Sequence, residues 1–300
     1  MLKAIKAYQE LEPEDFKVLR AVEVESKFYR YVPIERIVAR CGLPPEEVSY
    51  RLSRLNRLEL IVRRVGAYTG FMLNMHGYDC LAIRSLVLRG VISAISNRRI
   101  NVGKEADIFE GLTPKNERVS VKFNRLGRIS FRHTKRYRDY SADKPRVSWL
   151  LESTRAAKKE YNALRILSFE GVSVPRPIAR DRHVLVMEFI EGVDLYNCHK
   201  LPNPEKTLRE ILENVKKAYS IGIIHGDLSE YNVIVKPDLS ICIIDWPQYV
   251  RVTHPMADFY LKRDLENVLR FFKKRFNVDV TLGEALAYVK SLKNLSPSPG

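Results

Sequence analysis

An α+β fold in two parts is what this 300-residue sequence predicts, and three observations carry the prediction. Residues 1 to about 90 read as helices with short breaks, closed by a pair of short strand-like runs. The remainder mixes β-rich runs such as Val119–Phe123 and Val184–Phe189 with a long helical stretch from Ser153 to Ser168. Late in the chain, two apolar runs flank a Pro-Asp turn and bring Asn232 and Asp245 together in one hairpin, with Asp227 five residues before Asn232. Length gives the same division, at about 150 residues per domain. We expect one domain over residues 1–90 and a second over 91–300.

In the first part, helices are expected over Pro13–Val24, Ile34–Arg40 and Pro44–Leu58, followed by strands at Leu60–Val65 and Tyr68–Leu73 around a turn at Gly66. Three helices and a hairpin make a winged helix. In its third helix, Val48, Leu52, Leu55 and Leu58 fall on a core face, and Arg51, Arg54 and Arg57 are expected to project away from it toward RNA, with Arg63 and Arg64 extending the basic surface. A helix over His76–Leu88 then connects to Gly90.

The chemistry of the second part starts from its hairpin. Asn232 begins one strand and Asp245 ends the other, so two oxygen ligands converge on one divalent metal, with Asp227 five residues before Asn232. In protein kinases the loop Asp accepts the proton of the substrate hydroxyl, and an Asn and a later Asp hold Mg²⁺ against the ATP phosphates. Asp227 is therefore the expected catalytic base, and Asn232 and Asp245 the expected metal ligands. A bilobal protein-kinase-like domain then requires the rest of an ATP site upstream, in a fixed order.

Ile100–Phe109 stands where a phosphate loop belongs but holds a single glycine; backbone amides around Gly103, with Lys104, are the expected phosphate cover, and Ile100 an apolar wall. The alternating strand Val119–Phe123 presents Lys122 to the phosphates. From Asn124 to Arg146 runs a basic stretch with little apolar periodicity, where a short link would suffice, which reads as a functional loop. In the next helix Ala156, Glu160, Leu164 and Leu167 share one face. An acid on an apolar stripe needs a counter-ion, and Lys122 is the expected partner of Glu160. Val184–Gly192 reads as a strand entering a hinge, where the backbones of Glu188 and Ile190 would bond adenine, with Met187 behind it and Ile234 and Ile244 as further walls.

Taken together, GKEADIF (103–109), VKFNRLGRISFR (121–132), MEFIEG (187–192), HGDLSEYN (225–232) and IDWPQ (244–248) resemble the Rio family of atypical serine protein kinases, in particular its second, winged-helix-bearing subfamily in archaeal form. The resemblance spans roughly residues 1 to 285. Trp246 replaces the usual Phe, a change between aromatics that leaves Asp245 in place. The resemblance implies ATP and Mg²⁺ (or Mn²⁺) as cofactors, ATPase turnover, and a part in maturing the small ribosomal subunit. Transfer to a protein Ser, to itself, or transiently to Asp245 is implied as well. Ser130, Ser141 and Ser148, in or beside the basic loop, become candidate acceptors.

Composition narrows the classes further. The net charge of +15 implies an anionic partner such as a phosphate backbone, and the resemblance implies that this is ribosomal RNA or the immature small subunit. No run of about 18 apolar residues is present, so no membrane span is expected. Four scattered cysteines without paired spacing point to reduced thiols in the cytoplasm and away from zinc. A small-molecule kinase of the aminoglycoside or choline type shares the hairpin motif. It needs a larger C-terminal lobe than the 55 residues after Asp245 offer. A winged-helix kinase that acts on DNA would fit the same domain order, and a degenerate kinase fold that only binds nucleic acid would fit the same charge.

Overall fold

A computed structural model describes residues 2–102, 105–126 and 147–291. Contacts group the chain differently from the 1–90 and 91–300 division: one compact unit joins Met1–Thr154 with Ala179–Val186, and the other joins Arg155–Ile178 with Met187–Gly300.

The first unit opens with helices α1 (Leu2–Glu10), α2 (Pro13–Glu25), α3 (Ile34–Cys41) and α4 (Pro45–Arg57). The two-residue β1 (Val32–Pro33) joins β2 (Ile61–Val65) and β3 (Thr69–Leu73) in a sheet of order β1-β3-β2. Glu12 and Asp15 form a capping box around Pro13, which starts α2 where an N–H would have no partner anyway. Val18, Leu19, Val22, Ile37, Val48, Leu52 and Leu55 fill the winged-helix core. Helix α5 (Met75–Leu88) follows, capped by the Asn74 side chain.

The row of RNA-facing arginines on α4 requires correction. Arg51 is buried and paired with Glu12 at 2.6 Å, Glu47 at 2.7 Å and Asp15 at 3.5 Å. Arg54 reaches Asp15 at 2.6 Å and Glu12 at 3.0 Å. Both guanidiniums tie α4 to the start of α2, and their charge is neutralised there. Arg57 alone of the three is exposed and outside this network.

Five strands follow, all in this unit except Pro177, Ile178, Met187 and Glu188: β4 (Ala94–Val102), β5 (Ala106–Leu112), β6 (Arg118–Asn124), β7 (Pro177–Asp181) and β8 (Val184–Glu188), in the order β4-β5-β6-β8-β7. β6 is buried on both faces after Arg118, so Lys122 is only 4% exposed. Arg125, expected at the start of the basic functional loop, lies fully inside. Its guanidinium binds Asp79 of α5 twice at 2.8 Å and approaches Asp107 at 3.4 Å. His183 donates from Nε2 to Asp79 at 2.8 Å. Burial and the adjacent guanidinium hold His183 neutral, and Arg125 with His183 holds the Asp79 carboxyl well below the usual carboxylate range.

The second unit carries most of α6 (Val147–Phe169), with α7 (Pro204–Ser220), α8 (Ala257–Phe276) and α9 (Leu282–Lys290). Ala156, Glu160, Leu164 and Leu167 of α6 are all buried. Two small sheets hold the loops: β9 (Val193–Asp194), β11 (Val233–Val235) and β12 (Ile241–Ile243) in the order β12-β11-β9, and β10 (Ile223–Ile224) against β13 (Val250–Arg251). Among the described residues no helix is long and apolar enough to cross a membrane. All four cysteines are free thiols.

Candidate active site

The loop that bears Asp227 is held from three sides within the second unit. Gly226 adopts φ 80°, and a Cβ there would stand 2.9 Å from the Gln248 carbonyl, so glycine is required by both conformation and space. His225 donates from Nε2 to the Ile244 carbonyl at 3.0 Å and accepts the Asp227 N–H on Nδ1 at 3.3 Å. Those two bonds fix its tautomer, and its ring lies 4.5 Å from that of buried Trp246. Trp246 donates its indole N–H to Ile243 at 3.0 Å, so the aromatic at this position anchors the strand end beside Asp245. The Asp227 side chain stays exposed.

Asn232 and Asp245 come together through the hairpin register. Val233 pairs with Ile243 and Val235 with Ile241, and Ile244 donates to the Asn232 carbonyl at 2.9 Å, so Asp245 follows directly on the residue beside Asn232. The Asn232 amide N–H donates to the Asp227 carbonyl at 2.7 Å. With its nitrogen committed to the loop, the amide has its oxygen left to meet a cation. Asp245 sits at φ 69°, a left-handed conformation that is uncommon for a side-chain-bearing residue and recurs at functional sites. The backbone on both sides holds it there: Ile244 by its ladder bond, Trp246 by burial.

The other expected site residues are distributed as follows. In the first unit Lys122 lies in β6 and Ile100 in β4, the latter 47% exposed. In the second, Glu160 is wholly buried on α6 and Met187 is 7% exposed at the end of β8. Glu188 donates its N–H to Arg176 at 2.8 Å, which leaves its carbonyl, rather than both its backbone groups, for a ligand. Ile190, Ile234 and Ile244 are half-buried. Ser148 falls in the first turn of α6, whereas Gly103, Lys104, Ser130 and Ser141 lie outside the described residues.

Residues 107–285 match the RIO domain family, and residues 8–89 match the family described as Rio2, N-terminal. The chain belongs to the RIO family of serine/threonine-protein kinases. It is 42% identical over 253 residues to the RIO-type serine/threonine-protein kinase Rio2 of Methanocaldococcus jannaschii, covering 83% of this chain and 92% of that one. It is 36% identical to the serine/threonine-protein kinase rio2 of Dictyostelium discoideum, covering 97% of this chain but 55% of that longer one. The Rio2 kinase of Chaetomium thermophilum, solved as an ADP/Mg²⁺-phosphoaspartate complex, aligns with a TM-score of 0.84 at 32% identity over 95% of this chain and 89% of the other.

One residue that holds the Asp227 loop of this RIO chain escapes a sequence reading. Asp264, from the first half of α8, accepts the N–H groups of Gly226 at 2.7 Å and Leu228 at 2.9 Å, bracketing Asp227. Arg263 bonds the Gly226 carbonyl, and Asn267 donates to that of Leu228 at 3.1 Å. Burial pushes the Asp264 carboxyl up to about 7 from an ordinary 3.8, against the two N–H donors that favour its ionised form. Between those two pH values the folded chain keeps a proton that the unfolded chain has lost, so this group's stabilisation is complete below the lower value and disappears as pH rises through 7. We expect the difference in melting temperature between the wild type and Asp264→Asn to change most between pH 4 and pH 7 and to flatten outside that range. A difference constant across pH 4 to 8, read by scanning calorimetry, would remove Asp264 as a titrating element.

Proposed function

We propose that this RIO kinase uses Mg²⁺ (or Mn²⁺) and ATP to phosphorylate a protein Ser, or transiently its own Asp245, during maturation of the small ribosomal subunit in the cytoplasm. The observation that supports this best is the hairpin, which brings the Asn232 amide oxygen and the Asp245 carboxylate to neighbouring strand ends directly beside the Asp227 loop. Both are hard oxygen donors, and among the described residues no group of three or more His, Cys, Asp or Glu gathers to hold a metal. That donor set suits Mg²⁺, which takes one or two carboxylates and completes its shell with water and phosphate oxygens. When bound, the metal would neutralise charge on the phosphates.

In this reading Lys122 binds phosphate oxygens, backbone amides near Gly103 with Lys104 cover them, and the Glu188 carbonyl and Ile190 N–H orient adenine. Asp227 takes the proton of the acceptor hydroxyl as its oxygen bonds to the γ-phosphorus and the bond to ADP breaks. Alternatively an Asp245 carboxylate oxygen makes the new bond to phosphorus, ADP departs, and water later cleaves the acyl phosphate, giving net ATP hydrolysis. Support for that branch comes from the relative solved with a phosphoaspartate. The charge of +15 supports a nucleic-acid partner; that this is ribosomal RNA follows from the family resemblance.

Hydroxylamine separates the two acceptors, because it cleaves an acyl phosphate and leaves a phosphoserine intact. We expect label from γ-³²P-ATP on the wild type to include a hydroxylamine-sensitive fraction that disappears in Asp245→Ala. Label wholly resistant to hydroxylamine would eliminate the aspartyl branch and leave the Ser kinase standing.

A further inference from the structure

With Arg51 and Arg54 neutralised by Glu12, Asp15 and Glu47, the outward positive charge of the winged helix, Arg57 apart, lies elsewhere. Arg63 and Arg64 on β2, and Lys27 and Arg30 in the segment before β1, are exposed. None of the four has a carboxylate within ion-pair distance among the described residues. In contrast, Arg36 and Arg40 on α3 are both bound to buried Glu25.

The strand register builds a platform among these cations. β3 runs between β1 and β2, so that Gly70 faces Pro33 on one side and Arg64 on the other. A Cβ at Gly70 would stand 2.7 Å from the Tyr31 Cβ and 3.0 Å from the Tyr68 ring. Glycine at this position clears the sheet face and admits both tyrosines. The Arg64 guanidinium then lies 5.2 Å from the centre of the Tyr31 ring, and the Tyr68 hydroxyl donates to the Tyr31 carbonyl at 3.0 Å. Tyr68 remains 50% exposed, and Phe28 and Val65, at 74% and 69%, flank the cations.

We infer that this wing face, and not α4, is the nucleic-acid contact of the chain, and that it takes an unpaired stretch of RNA. Arg64, on the same face as Gly70, meets one phosphate and Arg30 a neighbouring one, while Arg63, opposite Phe71, lies on the other face of the strand; a splayed base stacks on Tyr68. Exposed aromatic faces set between unpaired cations match the alternation of base and phosphate in a single strand. A duplex would instead be read by a helix in the major groove, and the arginines in the middle of α4 are turned back onto α2. This inference rests on the RNA-partner part of the proposed function and supplies the site that part lacked.

The test uses the full chain and a fluorescein-labelled, mixed-sequence 20-nucleotide single-stranded RNA, with anisotropy titrations at several KCl concentrations. Arg30→Glu with Arg64→Glu should weaken binding at least tenfold and reduce the slope of log K against log salt by about 1.4, two phosphate contacts at about 0.7 each. Tyr68→Ala should weaken binding by roughly five- to a hundredfold with the slope unchanged, the signature of lost stacking, and Tyr68→Phe should bind as the wild type does. Wild-type affinity and slope in the double Glu variant would overturn the wing assignment. Equal affinity for a 20-base-pair DNA duplex would overturn the preference for unpaired RNA. A wild type that binds neither probe would instead sink the RNA partnership itself.

Discussion

Replacing Asp227 by alanine should lower phosphoryl transfer by about 10²- to 10⁴-fold, the range that a positioned general base contributes, while ATP affinity changes little. The carboxylate is exposed at the tip of a loop whose backbone is fixed by Asp264, Asn267 and His225, none of which bonds to the Asp227 side chain. Truncating it leaves that frame standing. Single-turnover rates and nucleotide affinity, measured on the same preparation, separate the two quantities: an interaction made only in the transition state lowers the rate and spares ground-state binding. An Asp227→Ala enzyme as fast as the wild type would refute the base assignment, whereas a parallel collapse of nucleotide binding would show that Asp227 acts on the ligand and not on the acceptor.

The largest expected loss of stability follows from Arg125→Ala. Removing one partner from a buried ion pair leaves the other charge uncompensated and costs about 3–5 kcal/mol. For a domain of 150–250 residues that corresponds to a melting temperature lower by roughly 10 °C. Asp79 and Arg125 are both inaccessible, and Asp79 also accepts from His183. Pairing Arg125→Met with Asp79→Leu should recover part of the loss, because the Asp79 carboxylate is no longer left without its guanidinium, although buried Asp107 still loses its approach from Arg125; the coupling energy from a double-mutant cycle measures the recovery. Strict additivity of the two single losses would mean that the guanidinium and carboxylate do not stabilise one another.

The hairpin was legible because chemistry fixes its spacing. A base five residues from a metal-binding amide, and a second ligand one strand away, leave few other arrangements of Asp227, Asn232 and Asp245. Helices α2 to α5 were legible from apolar periodicity. By contrast α1 and the two-residue β1 carry too little pattern to be seen without the sheet they join. Arg51 was misassigned although its spacing held the signal: it falls three residues after Val48 and four before Leu55, on the apolar stripe itself. Its acceptors Glu12 and Asp15 are also the capping box of another helix, and that double use appears only in three dimensions. Asp264 sits 38 residues from Gly226 with no motif around it, because any rigid carboxylate at that point in space would serve.

The Asp79–Arg125–His183 cluster also bears on how freely the parts of this chain can be recombined. The two family matches end at residue 89 and begin at residue 107, as though a winged helix had been joined to a catalytic module and could be detached. Yet Asp79 comes from the last helix of the first match, while Arg125 and His183 come from the second, and they share a single buried charge balance. A fragment beginning at residue 91 would keep the guanidinium and lose the carboxylate bound to it at 2.8 Å. Grafting a foreign winged helix would require an acid at the position of Asp79. Cutting between the two matches would therefore break a buried ion pair.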